Sequence, residues 1–152
     1  MGHWAEIDEN NIVIRVIVIK EAELDTGNWG DKSKWIKTSY NTFNGKHYVP
    51  KEQQDWTEES ADQSKALRYR YASVGMKYDA ENDVFYYPSS ANDSHIFDTT
   101  TWSWIPPIAK PENSKESPDD EGVSYVWDEN VYQNDTGNPK TKGWVALEDF
   151  GK

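Results

Sequence analysis

Residues 12–19 read Ile12-Val13-Ile14-Arg15-Val16-Ile17-Val18-Ile19, and seven of these eight side chains are β-branched. A branched Cβ is costly in a helix and packs well on a pleated surface, and the run is too short for a helix of ordinary length. The stretch therefore predicts a strand. Only Arg15 interrupts it. A strand apolar on both faces is normally central in its sheet or covered on both sides. We take it as the core strand of the N-terminal half.

The flanking sequence continues in the same grammar. Trp35-Ile36-Lys37-Thr38-Ser39-Tyr40 alternates large apolar with polar residues and predicts a second strand. Asn44-Gly45 lies between Phe43 and His47-Tyr48-Val49, the strongest short-range hairpin signal. Tyr69 to Tyr78 is again strand-like, and Glu21-Ala22-Glu23-Leu24 predicts a short helical turn. Residues 50–67 are polar with few β formers and predict a loop excursion.

One local pattern recurs: an apolar or aromatic residue, Asp, polar residues, then apolar residues again. It occurs at Ile7-Asp8 to Ile12, Tyr78-Asp79 to Phe85, Phe97-Asp98 to Trp102, and Trp127-Asp128 to Tyr132. An Asp carboxylate can accept hydrogen bonds from amides just downstream and close a turn, while the flanking rings meet across the strands. In the last copy the return strand is either Val131-Tyr132 or Gly143 to Leu147. The fold class that follows is mainly β: short antiparallel hairpins with aromatic faces and little helix.

Between Pro106 and Gly122 four prolines with charged spacers predict an extended linker. The expected organisation is a β-rich domain over 1–105, a linker over 106–122, and a small β-hairpin tail over 123–152. So short a tail must pack on its own chain or on a partner.

The composition of the 152-residue chain excludes several chemistries. With no cysteine there is no disulfide scaffold, thiolate zinc site or cysteine nucleophile. No apolar run is long enough to span a bilayer, and the N-terminus lacks the basic-then-apolar order of a Sec signal. A formal charge of -11 disfavours nucleic acid and anionic membrane as partners. His3, His47 and His95 have no metal-ligand spacing, and Asp8-Glu9-Asn10-Asn11 and Asp119-Asp120-Glu121 lack the order of a calcium loop. None of the Gly-rich phosphate motifs or the nucleophile-elbow motif occurs. The expectation is a protein with no enzymatic activity, no metal and no cofactor, although the many carboxylates keep a small hydrolase as a third reading.

The eight Trp and nine Tyr can form core, partner contacts or stacking platforms for sugars. The candidate partner- or glycan-contact rings are Trp4, Trp102, Trp104, Trp127 and Trp144. Trp102 and Trp104 would share one face of a strand, followed by the rigid pair Pro106-Pro107.

Several of these segments together resemble a family. The opening from His3 to Val16 is similar to the start of small structural proteins of marine tailed phages, cyanophages especially. The likeness continues at Trp35 to Asn41, Tyr71 to Asp79, Val84 to Pro88, Trp102 to Pro106 and Tyr125 to Asp128. It departs at 50–67 and 106–122, where this chain carries extra polar sequence. The resemblance implies a non-enzymatic virion component. The first expectation is a capsid decoration or knob-like protein bound to the major capsid protein or other virion proteins. The alternative is a tail or fibre component with a receptor- or carbohydrate-binding role. It further implies assembly in the host cytoplasm, a place on the particle exterior, and room for self-association. It carries no catalytic residues.

Overall fold

The computed structural model describes residues 1–152. The protein is mainly β, built from short antiparallel pairs, as the hairpin grammar predicts. It divides into two compact units, 1–88 and 89–152. The hairpin over 96–105, placed with the N-terminal domain on sequence, thus groups with the tail.

The first unit is organised by a three-stranded antiparallel sheet of β1 (Gly2–Ile7), β2 (Val13–Ile19) and β3 (Trp35–Thr38), in the order β2-β1-β3. The β-branched strand is therefore at an edge, and the central place belongs to β1. Successive residues of β1 point to opposite faces, and this sorts the core into two clusters. Ala5 and Ile7 join Val13, Ala72, Met76 and Phe85 in one, while Trp4 joins Ile19, Leu24 and Trp35 in the other. Strand β2 serves both, through Val13 and Ile19. Its middle is less covered than a central strand would be, which is the cost of having only one neighbour.

Local sequence explains the connections. Asp8 accepts the amides of Asn10 and Ile12 at 2.8 and 3.0 Å, and Asn11 takes the left-handed φ of 62° that closes the β1–β2 turn. Helix α1 (Glu21–Leu24) delivers Leu24 to the second cluster. Strands β4 (Thr42–Phe43) and β5 (Lys46–His47) meet through Asn44 (φ 48°) and Gly45 (φ 77°). Two successive positive φ angles are what a two-residue hairpin turn needs, hence Asn-Gly.

The stretch from Tyr69 to Tyr78 departs from its predicted strand. Only Lys77–Asp79 (β6) is extended and paired, with β7 (Val84–Tyr86). Arg68 and Tyr69 have φ of 54° and 69°, which breaks an extended run. Backbone partners here come from elsewhere: the Ala72 amide donates to the Thr38 hydroxyl at 2.9 Å, placing Ala72 and Met76 in the core.

Residues 50–67 carry no strand or α-helix, in line with the predicted excursion, yet they are firmly tied. The Gln63 side chain accepts the His47 amide (2.8 Å) and donates to the His47 carbonyl (2.9 Å), acting as a strand neighbour would. Gln54 donates to the Asn41 side chain and the Val49 carbonyl at 2.9 and 3.1 Å.

The second unit holds β8 (Ile96–Asp98) paired with β9 (Ser103–Ile105), and β10 (Tyr125–Trp127) paired with β11 (Trp144–Ala146). Of the two return strands considered, the chain uses the later. Val131 and Tyr132 instead lie in α2 (Glu129–Gln133), because Asp128 accepts the amides of Asn130 and Val131 and so caps a helix rather than a hairpin. Asp135 gathers the long insertion by accepting the amides of Gly137, Thr141 and Lys142 at 2.9, 2.8 and 3.0 Å, which holds its carboxyl down at about 2. The Pro-rich segment packs in cis on the tail. Trp144 Nε1 donates to the Ile108 carbonyl at 2.8 Å, and Ser114 bridges to Val123.

Candidate binding surfaces

The five rings singled out on sequence have different fates. Trp4 is 6% exposed, inside the second core cluster, with the Lys37 ammonium 5.8 Å from its ring. It is a core residue. Trp102 sits in the turn before β9 with φ 50°, so it does not share a strand face with Trp104. Both instead pack on Phe97, at 6.0 and 5.2 Å between centroids, Trp104 being its cross-strand partner. Trp127 and Trp144 face each other across β10–β11, their rings edge-to-face at 5.5 Å. His95 at 5.7 Å and Tyr132 at 5.3 Å complete that cluster. All four of these tryptophans are half-buried.

A carboxylate fixes the second cluster. Glu129 accepts four hydrogen bonds: the Ser94 amide (2.9 Å) and hydroxyl (2.6 Å), Trp127 Nε1 (2.8 Å) and the Gln133 amide group (2.9 Å). Partial desolvation alone would raise its pKa, but the donors outweigh it and hold the group at about 2. Every donor favours the ionised form. The group is thus a clamp on Trp127 and the Ser94 loop.

A further ring surface, partly open to solvent, lies outside these five residues. Trp56, in the polar excursion, contacts Phe43 (5.1 Å, stacked), Tyr48 (5.7 Å) and Tyr40 (6.4 Å). Tyr71 extends the group through Tyr40 at 5.5 Å, and His3 packs edge-on against Tyr71 at 5.4 Å. Tyr40 is 51% exposed and Phe43 42%. A concavity of about 240 Å³ lies among Tyr40, Phe43, Trp56, Tyr71 and Met76.

Trp56 has φ 56°, a strained backbone for a bulky side chain. Its neighbours hold it there. The Trp56 amide donates to Gln54 Oε1 at 3.2 Å. Asp55 accepts from Lys51 Nζ (2.8 Å) and from the Thr57 amide and hydroxyl (3.1 and 2.7 Å), and these donors lower its pKa to about 2. The available signal was a single tryptophan between an Asp and a Thr in an otherwise polar stretch.

The histidines are dispersed: His47 is buried with Nδ1 2.8 Å from the Ser60 hydroxyl, while His3 and His95 pack on rings. No group of three or more His, Asp or Glu side chains converges as metal ligands would. No helix is long and apolar enough to cross a membrane. Comparison of the chain with protein-family models, with curated proteins and with solved structures returns no match.

Proposed function

We propose that the protein is a non-enzymatic structural component of a phage virion, carried on the particle exterior as a capsid decoration protein. In this reading it grips the major capsid shell, or another virion protein, through the Tyr40–Phe43–Trp56 surface. The observation that supports a docking role is that exposed rings are held on a rigid scaffold, with Trp56 kept in a strained conformation by Gln54 and Asp55. Aromatic anchors in pre-set positions supply contact area at little entropic cost, which is how interface hot spots work. The phage context is supported by the sequence resemblance. The chain's net charge of -11 would keep particles apart.

The test is co-purification. The protein is expected on washed virions at a fixed ratio to the major capsid protein, and Trp56→Ala is expected to weaken retention by ~2 kcal/mol or more. Absence from washed particles overturns the reading.

The second reading is a tail or fibre component that binds a receptor carbohydrate. It is favoured by the ring-walled concavity, whose faces suit a pyranose ring. Binding on a glycan array that is lost in Trp56→Ala would select it over decoration.

A further inference from the structure

Strand β2 is the outermost strand of its sheet, and most of its outer edge has no neighbour. At its start the Val13 amide donates to the Met76 carbonyl (2.8 Å) and the Gly75 amide donates to the Val13 carbonyl (2.9 Å), so the 75–77 segment covers that end. From Ile14 to Ile19 the backbone pairs only with β1. Its other side is a row of free donors and acceptors.

Edge strands are normally blunted by Lys, Pro or a covering element. Here there is no proline, and lysine arrives only at Lys20, beyond the strand. The one charge, Arg15, is occupied elsewhere: it pairs with Glu6 and lies over the rings of Trp29 and Trp35 at 5.5 and 5.0 Å. Ile14 is 49% and Val18 55% exposed, and Val74, next to Gly75, is 63% exposed. A β-branched strand with open ladder groups and bare apolar side chains lacks one partner strand.

We propose that this partner is β2 of a second copy, paired antiparallel so that two three-stranded sheets join into one. The strand is self-complementary. A register centred on Val16 sets Ile14 opposite Val18 and Arg15 opposite Ile17, so β-branched side chains meet and no like charges face each other. That matters for a chain of net charge -11, because the seam is one place where two copies approach without opposed carboxylates. The pair is isologous and uses up both open edges. The opposite edge cannot extend the array in the same way. There β3 is only four residues long, and the Arg68 guanidinium already donates to its Lys37 carbonyl (2.8 Å). The assembly closes as a dimer. It does not depend on what larger particle the protein joins.

Sedimentation velocity on the full chain, from low to high micromolar concentration, tests this. The expected result is a reversible monomer–dimer equilibrium. Val18→Lys and Ile14→Lys, each at an exposed position, are expected to raise the dimer dissociation constant by ~tenfold or more with an unchanged far-UV spectrum. In the unaltered protein, amide exchange within 14–18 is expected to slow as concentration rises. A monomer at every concentration overturns the proposal. So does a dimer that both lysine variants leave intact, or one whose formation does not slow exchange in β2; this last readout decides even where a variant fails to fold.

Discussion

In residues 1–88 the largest side chains fully withdrawn from water are Phe85, Leu24, Val13 and Thr42, whereas in residues 89–152 the only buried residue is Gly143, which has no side chain. The first unit sorts its apolar groups onto the two faces of a sheet. The second has rings that are each half-covered, hydrogen-bonded through their indole nitrogens to Glu129 and to the Ile108 carbonyl, and turns gathered by Asp98, Asp128 and Asp135. Hydrophobic burial is non-directional and indifferent to pH, while a carboxylate clamp depends on ionisation and geometry. The first unit has carboxylate-closed turns as well, at Asp8 and Asp55, but adds a sealed apolar core that the second lacks, so the two units differ most in what a lost core side chain costs.

The largest effect expected is in the first unit. Phe85→Ala removes a completely buried ring from the cluster of Ala5, Val13 and Met76, and should cost ~3–5 kcal/mol in urea denaturation. Loss of amide protection should concentrate in β1–β3. A loss shared evenly with 89–152 would break the contrast between the units.

The second unit is better attacked through shape. Gly143 has φ 150°, and a Cβ built there would lie 2.3 Å from the Trp127 ring. Gly143→Ala must displace that indole and disturb the hydrogen bond from the Asp128 amide to the Gly143 carbonyl, at a cost of ~1–3 kcal/mol. The near-UV signal of the Trp127–Trp144 pair is the readout.

The smallest effect is the most discriminating. The Glu129 carboxyl is lowered to about 2 in the folded protein, against an ordinary value near ~4.3 when unfolded. A depressed carboxylate contributes stability above its unfolded pKa and loses it as pH falls through its folded one. Glu129→Gln should therefore lower the melting temperature at pH 7, with the difference shrinking between about pH 4.5 and 2. A gap that persists at low pH would mean the glutamate acts through shape alone.

Much of the fold was legible because it is local. The Asn44-Gly45 turn and the Asp-led turns satisfy their backbone within a few residues, and the β-branched run pairs with the strand just before it in sequence, so the sequence states them directly. The Tyr69–Tyr78 stretch misled for the converse reason. Its strand-like residues owe their conformation to a distant hydroxyl, Thr38, and to left-handed residues that composition does not mark. The site was less legible still. Trp4 and Trp56 look alike on paper, yet one is buried in the sheet's core and the other is held half-buried among Tyr40, Phe43 and Tyr48 beside an Asp55 turn.

By itself the sequence determined that the chain would be β, turn-rich, acidic and held by rings, since those properties follow from propensity, charge and hydrogen bonding between near neighbours. Only the tertiary structure decided that β1 rather than β2 is central, that the Pro-rich segment packs on its own tail, and which rings remain in contact with water. These depend on which strand finds two neighbours and which finds one. Strand order is set by pairing between distant residues, and no local preference encodes it.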